Sequence, residues 1–166
     1  MKVIWAPWRM KFIKEWRKKK PNCIFCEKCE QKNDQKNLLL YRGKKSFILL
    51  NLYPYNNGHL MVAPYRHKPD FNDLTKEELT NLLETARLGV NLLKKTLNPE
   101  GFNLGINLGK IAGAGIKDHL HIHIVPRWAA DTNFMPICGE TKVIPESLTA
   151  TYKKLKKTLS REMKKR

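Results

Sequence analysis

The sequence predicts a single α+β domain, an antiparallel sheet of about five strands with a long central helix and a C-terminal helix on one face. Three observations predict it. Short apolar runs bounded by turn residues recur at 38–42, 46–52, 58–65, 102–108 and 120–126, which is strand spacing. Between the third and fourth runs, Leu79, Leu82, Leu83, Ala86, Val90, Leu93 and Leu97 return at i, i+3, i+4 and i+7, which is helix spacing. The chain is 166 residues long and has no internal repeats, so it holds one core rather than two.

Taken in order, residues 1–20 carry Trp5, Trp8, Phe12, Ile13 and Trp16 among eight Lys or Arg. So many large apolar groups suit a docked basic and aromatic extension. CIFCEKC at 23–29 follows, and then a polar connection, EQKNDQKN. LLLYR and SFILLNL flank Gly43 as an antiparallel pair, and GHLMVAPY is the third strand. Thr75 and Glu78 make a capping-box pattern that opens the long helix, and Asn98-Pro99 stops it. FNLGINL, a glycine-rich turn GKIAGAG and LHIHIVP supply the remaining strands. Residues 129–166 form a C-terminal extension, with an amphipathic basic helix after Pro145.

The charge is +17, from 32 basic and 15 acidic residues. Half of the basic residues sit in 1–20 and 152–166. These runs read either as solvated helix faces and frayed ends or as attraction for a polyphosphate or nucleic acid. No apolar run reaches the ~18 residues of a spanning helix, so no membrane partner is expected. MKVIWAPWRM places charges and aromatics where a secretory signal is plainly apolar, which predicts a cytoplasmic protein without disulfides.

All five histidines fall in two stretches, His59 and His67 in GHLMVAPYRH and His119, His121 and His123 in DHLHIHIVPRW. Strand alternation puts the last three on one side and Leu120, Ile122 and Ile124 in the core. A row of imidazoles beside a glycine-rich turn reads as a site, because imidazole can act as nucleophile, proton carrier, phosphate donor or metal ligand near neutral pH. Cys23 and Cys26, at C-x2-C spacing, add two further metal ligands. With two histidines they make a set of the kind that closes a tetrahedral zinc site. Cys29 extends the spacing to C-x2-C-x2-C and raises an iron–sulfur alternative, but the usual C-x3-C-P completion is missing.

HLHIHIV matches the pattern His-φ-His-φ-His-φ-φ, and with GHLMVAPYRH, NLG and CIFC the chain resembles the histidine triad superfamily of nucleotide hydrolases and nucleotidyl transferases over about residues 20–127. IWAPWRM, VPRWAADTNF and KVIP resemble its bacterial branch acting on diadenosine tetraphosphate. The resemblance implies that His121 is the nucleophile forming a covalent nucleotidyl-histidine, with His123 and His59 around the phosphate oxygens. It implies a structural zinc, one per chain, on Cys23, Cys26, His67 and His119, and no organic cofactor. Asn51 takes the position that binds ribose hydroxyls, while Ile24, Phe25 and Leu49 either wall a slot for the base or belong to the core. The turn Gly109 to Gly115, including Gly113 and Gly115, fits as a backbone cradle for phosphate, and Asn107 as a side-chain contact to it. At Gly115, where related enzymes often present Ser or Gln, only a backbone amide is available.

The substrate expected from the resemblance is an adenine nucleotide or dinucleoside polyphosphate, with diadenosine tetraphosphate phosphorolysis as the specific case, inorganic phosphate as acceptor and hydrolysis as the competitor. The resemblance also implies a homodimer, whose pairing would close an open sheet edge. Trp128 either reaches the distal part of a long substrate or packs at the rim under the C-terminal helix. The rival reading is a zinc-stabilised nucleic-acid-binding module using the basic termini and Trp5, Trp8 and Trp16. It accounts for the charge but not for the triad.

Overall fold

The structure, a computed structural model, describes residues 23–129, 131 and 143–165. The expectations for residues 1–20 fall outside the described residues. In chain order the elements are α1 (Ile24–Glu30), β1 (Leu39–Arg42), β2 (Ser46–Leu50), β3 (Leu60–Pro64), α2 (Lys76–Leu97), β4 (Gly101–Gly105), β5 (Ile122–Arg127) and α3 (Leu148–Met163). The strands make one antiparallel sheet in the order β1-β2-β3-β5-β4.

The long helix begins and ends where its signals lie. Thr75 Oγ1 accepts from the Glu78 amide at 3.3 Å, and the Glu78 carboxylate accepts from the Thr75 amide at 2.8 Å. Such a cap contributes about 1 kcal/mol. Asn98 takes the left-handed conformation, φ 47°, that ends the helix before Pro99. Leu82, Ala86, Leu92 and Leu93 enter a core with Ile48, Leu50, Leu60, Val62, Ile122 and Ile124, and Tyr152, Leu155 and Leu159 of α3 complete it. Leu83, expected in the apolar stripe, instead points outward and is 64% exposed.

The opposite face of the sheet carries a smaller cluster of Phe25, Leu39, Phe47, Leu49, Met61 and Ala63. Its cover is α1, a short helix where the sequence reading placed only a cysteine cluster. The two long helices therefore share one face, as expected, and the site lies on the other.

Several strand boundaries differ from expectation, two of them in the last pair of strands. β4 ends at Gly105 rather than at residue 108, and β5 begins at Ile122 rather than at residue 120. The β3–β5 ladder stops at Val62↔Ile122. Beyond it, the Leu120 amide bonds to the Lys68 carbonyl at 2.7 Å and the His119 imidazole bonds to the Pro64 carbonyl at 2.8 Å. Side-chain and loop bonds thus replace the ladder. The alternation of faces persists even so, with Leu120 and Ile122 in the large core and His119 and His121 against Phe25 on the site face.

Candidate active site

His121 and His123 come together as edge-to-face rings with centroids 4.8 Å apart, and His59 joins them from the turn just before β3, its centroid 5.1 Å from that of His123. Tyr55 lies over both His59 and His123, at 4.6 and 5.7 Å. His59 is fully buried, and the ring of His121 rests on Phe25 at 4.8 Å.

The hydrogen bonds determine which nitrogen of each imidazole holds its proton. The Tyr55 amide donates to His59 Nδ1 at 3.1 Å, and the Asn51 amide group lies 3.3 Å from the same atom. Asn51 cannot turn its oxygen there, because Oδ1 accepts from the Tyr53 amide at 3.0 Å. Nδ1 of His59 is therefore an acceptor, and Nε2 carries the proton and donates to His123 Nδ1 at 2.9 Å. His123 in turn holds its proton on Nε2. His121 runs the other way, since Nδ1 donates to the His119 carbonyl at 2.8 Å and leaves a lone pair on Nε2. One imidazole thus keeps a lone pair on Nε2 and its neighbour a proton there.

Burial keeps these rings neutral. It pushes His59 down to about 3, helped by repulsion from His123 and His121, and His123 down to about 4, helped by His121. His121 is lowered by burial too, against the opposing pull of the His119 carbonyl. A neutral imidazole has no proton to lose before its free ring nitrogen can act as a nucleophile.

Cys23, Cys26, His67 and His119 converge separately, their ligand atoms all within 4.8 Å of one another. The Cys23 sulfur lies 3.2 Å from His119 Nδ1, and Cys26 lies 3.5 Å from His67 Nδ1 and 3.6 Å from His119 Nδ1. Ligands around a tetrahedral zinc are about 3.4–3.8 Å apart, so this donor set fits that ion. His119 donates Nε2–H to the Pro64 carbonyl, which leaves Nδ1 as the ligand nitrogen. Burial, then Cys23 beside it, push Cys26 up to about 11, a cost that a bound cation reverses. Cys29 stays out of the cluster, its thiol raised to about 12 chiefly by burial.

A HIT domain model matches residues 32–130. The chain belongs to the histidine triad family. It is 42% identical to AP-4-A phosphorylase of Mycobacterium tuberculosis over 159 residues, covering 92% of this chain and 81% of that protein. It is 39% identical over 93 residues to the asymmetrical bis(5'-nucleosyl)-tetraphosphatase of Schizosaccharomyces pombe, covering 56% of this chain and 50% of that protein. In structure it resembles a zinc-bound histidine triad family protein from Mycobacterium smegmatis, with a TM-score of 0.69, 21% identity, and 87% and 98% of the two chains covered.

In this histidine triad protein Phe25 and Leu49 are wholly buried, whereas Ile24 is half-buried at the start of α1. Asn51 meets the His59 ring. Asn107 holds the glycine turn through the Gly113 carbonyl at 3.4 Å, and Gly109 and Gly113 have φ +78° and +86°, a conformation few other residues adopt. Gly115 and the neighbouring Lys110 and Lys117 line a cleft of about 740 Å³ together with Cys23, Cys26 and His67. The turn therefore opens onto the cysteine and histidine cluster. Trp128 is half-buried, its indole N–H donating to the Asn98 carbonyl at 3.2 Å, at the C-cap of α2.

Sequence reasoning missed Tyr55, whose amide sets the proton of His59. Only its place in PYNNG, four residues before that histidine, hinted at a role. No described helix is long and apolar enough to cross a membrane.

Proposed function

We propose that the chain is a nucleotidyl-transferring enzyme that acts at the α-phosphate of dinucleoside polyphosphates, and that its reaction is phosphorolysis of diadenosine tetraphosphate. One observation carries the reading. The His119 carbonyl holds the Nδ1 proton of His121, which leaves the lone pair for phosphorus on Nε2. In the first step the His121 Nε2–P bond forms as the P–O bond to the leaving polyphosphate breaks, and the Nε2 proton of His123 stabilises the charge that develops on oxygen. In the second, an oxygen of inorganic phosphate forms a bond to that phosphorus, the N–P bond breaks and the His121 lone pair is restored. The products are ATP and ADP.

Cys23, Cys26, His67 and His119 would hold a zinc ion that ties α1 to the triad segment. It would fix the backbone whose carbonyl orients His121. Ile24 and Asn51 fit the nucleoside end, with Phe25 and Leu49 as the floor beneath. Asn107, Gly113 and Gly115 fit the phosphates, and Trp128, anchored on α2, the rim. The reading includes a cytoplasmic setting, which keeps Cys23 and Cys26 as thiols. The 42% identity to a mycobacterial AP-4-A phosphorylase favours phosphate as acceptor, while Gly115, with only a backbone amide to offer, favours water as the competitor.

Mass spectrometry of products from diadenosine tetraphosphate decides between them. ADP and ATP formed only in the presence of inorganic phosphate is the expected result. AMP and ATP in equal amounts, independent of phosphate, would replace phosphorolysis by hydrolysis, and no cleavage would reject both.

The proposal extends to a homodimer. β4 is an edge of the sheet and leaves Leu104 54% exposed, an open edge that a second copy would cover. Light scattering at assay concentration is expected to report twice the chain mass, and a monomer rejects the pairing.

A further inference from the structure

His59 closes a tight turn. Its amide donates to the Asn56 carbonyl at 3.2 Å, and its own carbonyl accepts from the Asn51 amide at 2.9 Å. Gly58 has φ +75°, and a Cβ there would stand 2.6 Å from Leu97 Cδ1. This turn delivers the Tyr55 amide to His59 Nδ1, while the Tyr55 side chain is 57% exposed and its ring lies over the His59 and His123 imidazoles. The two neutral tautomers of an imidazole are close in energy, and a single hydrogen bond is worth about 1 kcal/mol. The proton of His59 therefore stays on Nε2 only while the turn keeps its distance from β5.

Asn56 supplies that restraint. It is 5% exposed, and its side-chain amide donates to the Pro126 carbonyl at 3.0 Å and to the Asp131 carboxylate at 2.8 Å. Its side-chain oxygen accepts from the Asn57 amide at 3.1 Å. Pro126 is on β5, the strand that carries His123. Asn56 thus ties the turn bearing His59 to the strand bearing its hydrogen-bond partner. The Asp131 side chain is also nearly buried, 4% exposed, and its charge is balanced by Arg127, which donates to both carboxylate oxygens. The Trp128 amide donates to it as well, at 3.2 Å, and Arg127 reaches across to Asn103 of β4 at 2.8 Å. Asp131 lies one position past the matched residues 32–130.

We infer that Asn56 and Asp131 are positioning residues, a clamp that holds the His59–His123 pair in its one productive proton arrangement and couples the C-terminal extension to the reaction centre. The kinetic part of this inference rests on the function proposed above. The tautomer part does not.

The test uses the full chain with Asn56→Ala, Asp131→Ala and the double variant. Nitrogen NMR of histidine-labelled, substrate-free protein reads the tautomers. In wild type His59 and His123 are expected to carry their protons on Nε2 alone, and in each variant His59 is expected to become a mixture. With diadenosine tetraphosphate and phosphate, kcat is expected to fall about 10- to 100-fold, as a misplaced reacting group does, with KM within about threefold. The double variant is expected to lose no more than the worse single one, because both changes break one connection. Asp131→Asn, which keeps an acceptor oxygen for Asn56, is expected to recover most of kcat. Should an alanine variant not fold, Asp131→Asn carries the comparison by itself, with a smaller tautomer mixture and a smaller fall in kcat expected. Folded variants with wild-type tautomers and wild-type kcat would overturn the clamp, as would losses that add in full. A wild-type protein that leaves dinucleoside polyphosphates uncut would remove the proposed function, while the tautomer spectra would still decide the clamp.

Discussion

Replacing His121 by Asn or Ala is expected to lower kcat by at least about a thousandfold, the scale on which removal of a covalent nucleophile acts. The fold should survive. His121 packs on Phe25 but lies on the site face, whereas Leu120 and Ile122 on either side of it fill the large core. The melting temperature is therefore expected to stay within about 4 °C of wild type, the shift that ~1 kcal/mol produces at this size. Denaturing mass spectrometry of wild type mixed with diadenosine tetraphosphate, without phosphate, should show an added nucleotidyl mass that the variants lack. Near-normal turnover in a variant freed of contaminating enzyme would show that another group attacks phosphorus. His123→Ala is expected to cost less, because it removes a donor rather than the bond-forming atom.

The second large effect concerns the cluster of Cys23, Cys26, His67 and His119. Elemental analysis of protein prepared without chelators is expected to find about one zinc per chain, and Cys23→Ser or His67→Ala should lose it. Cys23 stands next to α1 and His119 next to β5, so the ion would crosslink segments 96 residues apart in sequence. Binding to the folded chain alone adds its free energy to stability. A chelator or either substitution is then expected to lower the melting temperature by more than about 10 °C, equivalent to roughly 3–4 kcal/mol or more. Iron in place of zinc, or a Cys23→Ser protein that melts with wild type, would reject the assignment.

Much of this was legible in the chain itself. The capping box at Thr75 and Glu78, the stop at Asn98-Pro99 and the alternation from Leu120 to Ile124 are local patterns, governed by residues within a few positions of one another. That Cys23, Cys26, His67 and His119 would converge was legible for another reason, since the family pattern marks their places. Less was legible in α1, whose seven residues are too short to show a periodicity, and in Phe25 and Leu49, where an apolar side chain reads alike in a core or in a binding slot.

The residue types by themselves determined that imidazole chemistry would lie on one face of an antiparallel sheet, because a period of two puts every second side chain on the same side whatever the rest of the fold does. Only the tertiary structure decided what each imidazole can do. The proton positions of His59, His121 and His123 are set by the Tyr55 amide, the His119 carbonyl and the 2.9 Å contact between His59 Nε2 and His123 Nδ1, and the two tautomers of a neutral ring have the same composition and nearly the same energy. Nothing in a residue's identity separates them, so the choice falls to whichever donor or acceptor the folded backbone brings to each nitrogen.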